Sequence, residues 1–136
     1  MNINAYLLYD GNCEAAFKFY EKTLNGRITM MSTHGDSPMA DKVAPEWRSK
    51  IIHARMEVAG TVLMGSDTPP QHFSKPQGFS ISIGAPTVPE CERIFNALSE
   101  GGSIQMPFQK TFWSAGFGMF TDRFGIPWMV NCAQPA

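Results

Sequence analysis

The chain has 136 residues, of which 43% are hydrophobic and 17% are charged, and its formal net charge is -1 at pH 7. That length fits a single domain with a sizeable core, and the small net charge disfavours nucleic acid or an acidic membrane surface as a partner. Because no apolar run approaches the roughly 20 residues that span a bilayer and no secretory signal begins the chain, we expect a cytoplasmic protein whose partner is a small molecule or a protein.

The three cysteines, Cys13, Cys91 and Cys132, are an odd number without CxxC spacing. Such a set indicates neither a disulfide framework nor a zinc site. We therefore expect three reduced thiols, with Cys13 and Cys91 on helices.

The first part of the chain predicts a strand, a helix and a second strand. Residues Ile3 to Tyr9 have strand propensity, and Asn12 is placed to cap a helix from about Cys13 to Leu24, whose apolar residues recur at helical spacing. Residues Arg27 to Thr33 return to strand propensity. Residues 34–47 contain two prolines, a glycine and several charges, so they predict a long surface excursion with one helical turn.

Residues Lys50 to Val58 alternate between apolar and polar side chains, which is the period of a half-buried strand. Gly60 supplies a hairpin turn, Thr61 to Gly65 form the next strand, and three prolines make residues 67–77 a linker. The first half of the chain is therefore predicted to be a βαβββ module.

The second half begins with the same order. Phe79 to Gly84 alternate as a strand, and Thr87 with Glu90 three residues later has the spacing of a helix capping box. Gly101 and Gly102 follow that helix, at the point where a left-handed residue commonly ends helices. The apolar stripe of this second helix consists of Cys91, Ile94, Phe95 and Leu98.

Three further strands complete the second module. Ser103 to Phe112 contain Pro107, which lacks a ladder donor and indicates an edge strand or a bulge. Phe117 to Thr121 and Ile126 to Cys132 flank the turn residues 122–125 and predict a hairpin. We thus expect one domain, residues 1–136, made of module 1 (about 1–66), a linker (67–77) and module 2 (about 78–136).

Three runs carry a family resemblance: YLLYDGNCEAAFKFYEKTLNG, HARMEVAGTVLMGSDTPP and ERIFNALSEGGSIQMPFQKTFWSAGFGMFTDRFGIPWMVN. Together they cover most of the chain and resemble the PhnB-like family of the vicinal oxygen chelate superfamily, also called the glyoxalase, bleomycin-resistance and dioxygenase fold. The resemblance implies an α+β fold in which two βαβββ modules form a curled mixed sheet around a cavity, with the helices on the outer face. It also implies a homodimer.

Members of this family are often named as ubiquinone-pathway methyltransferases. A methyltransferase of the common type needs a strand followed by a Gly-rich loop that holds the methyl donor. The one Gly-Gly pair in this chain, Gly101 and Gly102, instead follows a predicted helix. The sequence therefore does not support methyl transfer.

Metal-dependent members of the superfamily take one ligand from each of four strands, usually histidine, glutamine or glutamate. Counting from the matched runs places those positions on residues that are poor ligands for a divalent ion. They are Ala5, Met64 or Gly65, Ser80 (or Phe79 if the count slips by one) and Met129. We therefore expect no bound metal and no other cofactor.

One face of the third strand presents His53, Arg55 and Glu57, which are a base, a cation and a carboxylate spaced about 6.5 to 7 Å apart. They are candidate ligand-binding residues. The alternative is that this face is solvated, or that the three side chains pair among themselves.

The second module supplies the other candidate ligand-binding residues. The resemblance places Phe112 and Trp113 near the cavity mouth, with packing in the core or in a dimer as the alternative. Asn131 lies two residues from Met129 on the same strand face, so it could offer a polar contact inside the cavity.

Three functions are compatible with these features. The first is a metal-independent protein that binds a small molecule, because an apolar lining with a few polar groups is what such a pocket needs. The second is a metal-dependent enzyme of the superfamily, of the lyase, isomerase or dioxygenase type, that uses ligands outside the counted positions. The third is a structural or regulatory dimer with an empty cavity.

Overall fold

Two copies of one βαβββ order make up the structure. The computed structural model describes residues 1–133. One compact unit runs from Met1 to Ser74 and the second begins at Lys75. The elements of the first unit are β1 (Ala5–Tyr9), α1 (Cys13–Thr23), β2 (Arg27–Thr33), β3 (Ile51–Val58) and β4 (Thr61–Asp67). Those of the second are β5 (Ile81–Ala85), α2 (Val88–Ser99), β6 (Ser103–Gln109), β7 (Ser114–Thr121) and β8 (Pro127–Ala133).

The first unit is a four-stranded mixed sheet, sheet one, with the strand order β1-β4-β3-β2. Strand β1 runs parallel to β4, with Ala5 opposite Leu63, and the other neighbours are antiparallel. Helix α1 packs on one face because its apolar stripe, including Phe17, is fully buried. Gly65 allows α1 to approach the sheet closely, because a Cβ at that position would lie 2.9 Å from the Phe17 ring.

The second unit, sheet two, repeats the topology with the strand order β5-β8-β7-β6. Strand β5 runs parallel to β8, with Ile81 opposite Trp128, and α2 packs through Phe95 against Gly118 and Phe120. The predicted α+β fold with two βαβββ modules is therefore confirmed, and its two mixed sheets are not closed into a barrel.

The two helices begin differently. Thr87 caps α2 as predicted, because its hydroxyl accepts from the Glu90 N–H at 3.3 Å. The prediction that Asn12 caps α1 is wrong, since its side chain makes no cap hydrogen bond. The Cys13 N–H instead donates to the buried Asp67 carboxylate at 2.9 Å, and the same carboxylate accepts from the Ile51 N–H at 2.8 Å. A distant residue on β4 thus satisfies one N–H at the start of α1, although not one that the Asn12 side chain would have capped.

Several strand ends differ from the prediction. Strand β5 begins at Ile81 and leaves Phe79 outside the sheet, 51% exposed. Strand β6 ends at Gln109 rather than Phe112. The interpretation of Pro107 is confirmed, because β6 is an edge strand and its register with β7 shifts between Met106 and Gln109, the interval that contains this residue.

The excursion between β2 and β3 contains three short 3-10 turns rather than one helical turn. They span His34–Asp36, Ala40–Lys42 and Pro45–Trp47. Neither helix within residues 1–133 is long and apolar enough to cross a membrane.

The three cysteines are free and buried, and Cys13 and Cys91 lie on α1 and α2 as predicted. Burial raises the pKa of the Cys13 thiol far above its ordinary value. Burial and the neighbouring Cys132 raise the pKa of the Cys91 thiol to about 11. The raised pKa of Cys13 and of Cys91 is the opposite of what a nucleophilic cysteine needs.

Candidate functional site

The face of sheet one opposite α1 is not covered by any helix of its own unit, and we call it the open face of sheet one. Strand alternation turns Leu7 and Tyr9 toward α1, where they are buried, and it leaves their neighbours on the open face. The register between the strands brings the open-face residues of three strands into neighbouring cross-strand rows, such as Tyr6, Met64 and Arg55. They are Tyr6 and Leu8 on β1, Met64 and Ser66 on β4, and His53, Arg55 and Glu57 on β3.

Tyr6 and His53 form the aromatic centre of this face. Their rings are stacked, with centroids 5.7 Å apart and planes inclined by 26°. The Tyr6 hydroxyl and the His53 Nδ1 are hydrogen-bonded at 3.1 Å, in a direction that follows the imidazole tautomer. Tyr6 thus orients the imidazole of His53 through its Nδ1 atom.

Arg55 and Glu57 pair with each other, whereas the alternative left open by the sequence had all three side chains, His53 included, pairing among themselves. The Arg55 guanidinium donates to one Glu57 carboxylate oxygen at 3.1 Å, and Arg27 on the neighbouring strand donates to the other oxygen at 3.1 Å. The hydrogen bond from Arg55, followed by that from Arg27, lowers the pKa of the Glu57 carboxyl. Arg55 also donates to the Thr29 hydroxyl at 3.1 Å. His53 is therefore the member of the predicted trio that is not tied into the ion pairs.

The face of sheet two opposite α2 is the open face of sheet two. Asn131 lies there opposite Gly84 on β5 and Phe117 on β7, beside the pair formed by Met119 and Met129. The side-chain oxygen of Asn131 is buried and has no hydrogen-bond partner within residues 1–133. A buried acceptor of this kind calls for a donor, so this face carries an unsatisfied polar group beside the apolar side chains of Phe117, Met119 and Met129.

Phe112 and Trp113 lie in the turn between β6 and β7. Their rings meet edge to face at 4.9 Å, and Trp113 also contacts Phe117 at 5.5 Å. Trp113 is 50% exposed and Phe112 is 91% exposed, so neither ring belongs to a packed core. Trp113 is joined to the open face of sheet two through Phe117.

The positions that hold a metal in the superfamily do not fit one here. Ala5 shares the strand face of the buried Leu7 and Tyr9, so Tyr6 is the residue that β1 places on the open face. Met64 and Met129 lie on the open faces and offer only thioethers, which suit soft ions rather than hard divalent ones. Within the described part of the chain, no three side chains of His, Cys, Asp or Glu come together as a metal site.

Sequence reasoning missed Tyr6 as a partner of His53. The alternation of Tyr6 and Leu8 with Leu7 and Tyr9 does carry a signal, because it divides one strand into two aromatic faces. Identifying the partner needed the parallel register of β1 with β4, which the local pattern does not contain.

A family model described as 3-demethylubiquinone-9 3-methyltransferase matches residues 1–131. Protein PA1353 from Pseudomonas aeruginosa, whose crystal structure has been solved, is 48% identical, with 99% of each chain covered and a TM-score of 0.90. Protein YjdN of Escherichia coli (strain K12) is 34% identical over 98% of this chain and 97% of its own length. The putative 3-demethylubiquinone-9 3-methyltransferase, PhnB protein, from Bacillus cereus is 25% identical, covering 98% and 100% of the two chains, with a TM-score of 0.83.

Proposed function

The chain belongs to the 3-demethylubiquinone-9 3-methyltransferase (PhnB-like) family of the vicinal oxygen chelate superfamily, and from that premise we propose that it binds a small molecule without a metal. The observation that carries the proposal is the Tyr6 and His53 pair on the open face of sheet one. An oriented imidazole beside the apolar side chains of Leu8 and Met64 combines polar recognition with apolar contact, as ligand pockets do.

The open face of sheet two supports the same proposal from the second unit. Trp113 and Phe117 supply aromatic surface, and Asn131 supplies a buried acceptor that a ligand N–H or O–H would satisfy. Arg55 and Glu57 contribute as an ion pair on the same strand face as His53. Phe112 contributes an exposed aromatic ring next to Trp113.

The family description names a methyl transfer, but Gly101 and Gly102 do not form the Gly-rich loop that would hold a methyl donor. Gly101 has a φ of +77° and follows the end of α2. A Cβ at Gly102 would lie 2.1 Å from the Thr121 carbonyl oxygen, so this glycine allows the β7 backbone to approach. Both glycines thus have structural roles, and the pair does not form a cradle for a methyl donor.

We expect a thermal-shift screen of small aromatic and amphipathic compounds to find a ligand that His53→Ala binds about tenfold more weakly, because the substitution removes both a hydrogen bond and ring contact. Trp113→Ala should weaken the same ligand. Lys18→Ala is the matched control, since Lys18 is exposed on α1 and pairs only with Glu14 among the described residues. A chelator should change neither the melting temperature nor the affinity.

Two results would count against this function. One is a hit whose affinity is the same for the wild type and for His53→Ala. The other is stoichiometric zinc, nickel or iron in the purified protein that is lost together with ligand binding on chelation, which would restore the metal-dependent enzyme.

S-adenosylmethionine belongs in the screen, and we expect it to leave the melting temperature unchanged.

A homodimer and a cytoplasmic location are further parts of the proposal. Exposed large apolar side chains such as Ile104 (52%) and Phe112 (91%) are typical of an interface, and three free cysteines suit a reducing compartment. Sedimentation velocity at micromolar concentration should show a species of twice the chain mass. A single monomer peak under those conditions would refute the dimer.

A further inference from the structure

Three methionines lie side by side across sheet two. Met119 on β7 is the partner of Met129 on β8, and it is also the partner of Met106 on the edge strand β6. Cross-strand partners share one face of a sheet, with Cβ atoms about 4.5 to 5.5 Å apart. Met119 lies on the open face because its neighbours Gly118 and Phe120 face Phe95 on α2. The three thioethers therefore form one row on the open face of sheet two, which we call the methionine row.

The bulge in β6 sets the side of Met106. The register with β7 shifts just before this residue, so that two β6 residues, Gln105 and Met106, stand opposite Met119. A second shift follows, and Phe108 then lies on the side of α2, where its ring centroid is 5.8 Å from that of Phe95. Regular alternation would have put Met106 on the same side as Phe108, whereas the bulge puts it on the face of Met119.

The methionine row is accessible from solvent. Each of its three side chains is half-buried, so none is sealed in the core. Met119 also lines a cavity of about 350 Å³, together with Lys75 and Phe79 from the segment before β5. An ion thus reaches the thioethers without an opening of the core beneath them.

The chemistry of the row selects the class of ion. A thioether is a neutral, polarisable ligand that suits Cu(I) and not hard divalent ions. Methionine side chains are unbranched and flexible, so sulfur atoms from three adjacent strands can turn toward one point. The other strand residues on this face are uncharged and offer no carboxylate to an ion of higher charge. They are Ser82, Gly84, Ser103, Gln105, Gln109, Phe117, Thr121, Pro127 and Asn131.

The thiols of the same unit are poorer ligands for such an ion. Cys91 and Cys132 are buried on the side of α2. Burial, followed by the neighbouring Cys132, raises the pKa of the Cys91 thiol to about 11. A thiol must lose its proton before it ligates a metal, whereas a thioether has no proton to lose. The accessible soft ligands of this unit are therefore the thioethers.

We propose that the methionine row binds a soft monovalent ion of the Cu(I) type through the sulfur atoms of Met106, Met119 and Met129. The divalent site of the superfamily draws on β1, β4, β5 and β8, so two of these three ligands lie on strands that it does not use. Lys75 borders the same cavity as Met119, opposes a cation and limits its affinity. The inference goes beyond the proposed function, which uses no metal.

The test uses Ag(I) as the probe, because it shares the charge and softness of Cu(I) and resists oxidation in air. The protein carries ¹³C at the methyl groups of its nine methionines, and single Met→Leu variants assign their NMR signals. We expect the signals of Met106, Met119 and Met129 to move in a saturable way, with a single ion bound per chain. The signals of Met39 and Met64, in the first unit, should stay in place.

Variants and pH then separate the thioethers from other ligands. Met119→Leu keeps the side-chain volume and loses the central sulfur, so the affinity for Ag(I) should fall at least about tenfold. Met39→Leu is the matched control, since Met39 is 48% exposed in the excursion before β3, and it should bind as the wild type does. The affinity should be equal at about pH 5.5 and about pH 7.5, because no proton leaves a thioether, whereas a thiolate site would tighten up to about tenfold for each pH unit.

The proposal is overturned if the three methyl signals stay in place up to about 1 mM Ag(I), or if Met119→Leu binds Ag(I) as tightly as the wild type. An affinity that rises with pH assigns the ion to the thiols and overturns it equally. His53→Ala should leave Ag(I) binding intact. Failure at the methionine row therefore does not bear on the ligand that depends on His53.

Discussion

Asp122→Ala should lower the free energy of unfolding by about 4 kcal/mol, because three donors lose one buried carboxylate. One oxygen of Asp122 accepts from the Phe124 N–H at 2.9 Å and from the Ile126 N–H at 3.0 Å. The other accepts from the Trp128 indole N–H at 2.8 Å. Chemical denaturation followed by circular dichroism measures the loss, and a change below about 1 kcal/mol would show that the three donors find other partners.

Asp122→Asn and Trp128→Phe make a matched cycle around the same site. The asparagine keeps one carbonyl oxygen, which can accept from the two backbone N–H groups. Its NH₂ group faces the Trp128 indole N–H and cannot accept a hydrogen bond from it. We expect Asp122→Asn to lower the free energy of unfolding by about 2 kcal/mol in the wild type. In the Trp128→Phe background, where the indole donor is gone, the loss should be about 1 kcal/mol smaller. Equal costs in the two backgrounds would contradict the assigned hydrogen bond.

Gly102→Ala should cost about 3 kcal/mol, since the added methyl has no room. Its Cβ would lie 2.1 Å from the Thr121 carbonyl oxygen and 2.9 Å from the Asp122 carbonyl carbon. Both atoms belong to the backbone, and Thr121 is paired with Ser103 on one side and Pro127 on the other. The clash therefore cannot be relieved by turning a side chain.

Gly84→Ala is the control for that prediction. Gly84 lies in β5 of the same unit, and the nearest atom to its added Cβ is the Asn131 carbonyl oxygen at 3.8 Å, an ordinary contact. Its unfolding free energy should stay within about 0.5 kcal/mol of the wild type. If both glycine variants lose stability equally, the loss comes from the removal of glycine itself and not from the close approach.

The order of helices and strands could be predicted from the sequence because each element carries its own local signal. The alternation of β3 and the capping pair of Thr87 and Glu90 both act within a few residues. Asn12 failed as a cap because its backbone, at φ −119° and ψ 25°, is not in the extended conformation typical of an N-cap, and its side chain makes no cap hydrogen bond. The Asp67 carboxylate, far along the chain, accepts instead from the N–H of the first helical residue, Cys13.

The candidate site was predicted only in part for the same reason. His53 was identified from strand alternation, but Tyr6 joins it across the intervening strand β4, which depends on register. Arg55 pairs with Glu57 without His53, which the sequence did not predict, and Arg27 enters through the antiparallel neighbour β2.

The parallel pairing of β1 with β4 also sets an order of events during synthesis. Strand β1 is made first, yet its partner residues run from Leu63 to Asp67. At about 5 to 20 residues per second, the ribosome takes roughly 3 to 12 seconds to add that length, and the partner must then clear the exit tunnel. The hairpin of β3 and β4 closes over a short loop, at a smaller entropic cost, so it is ready to receive β1 as a template. We therefore expect β1, the first strand of this sheet to be made, to be the last strand to enter it, with its apolar side chains available to chaperones until then.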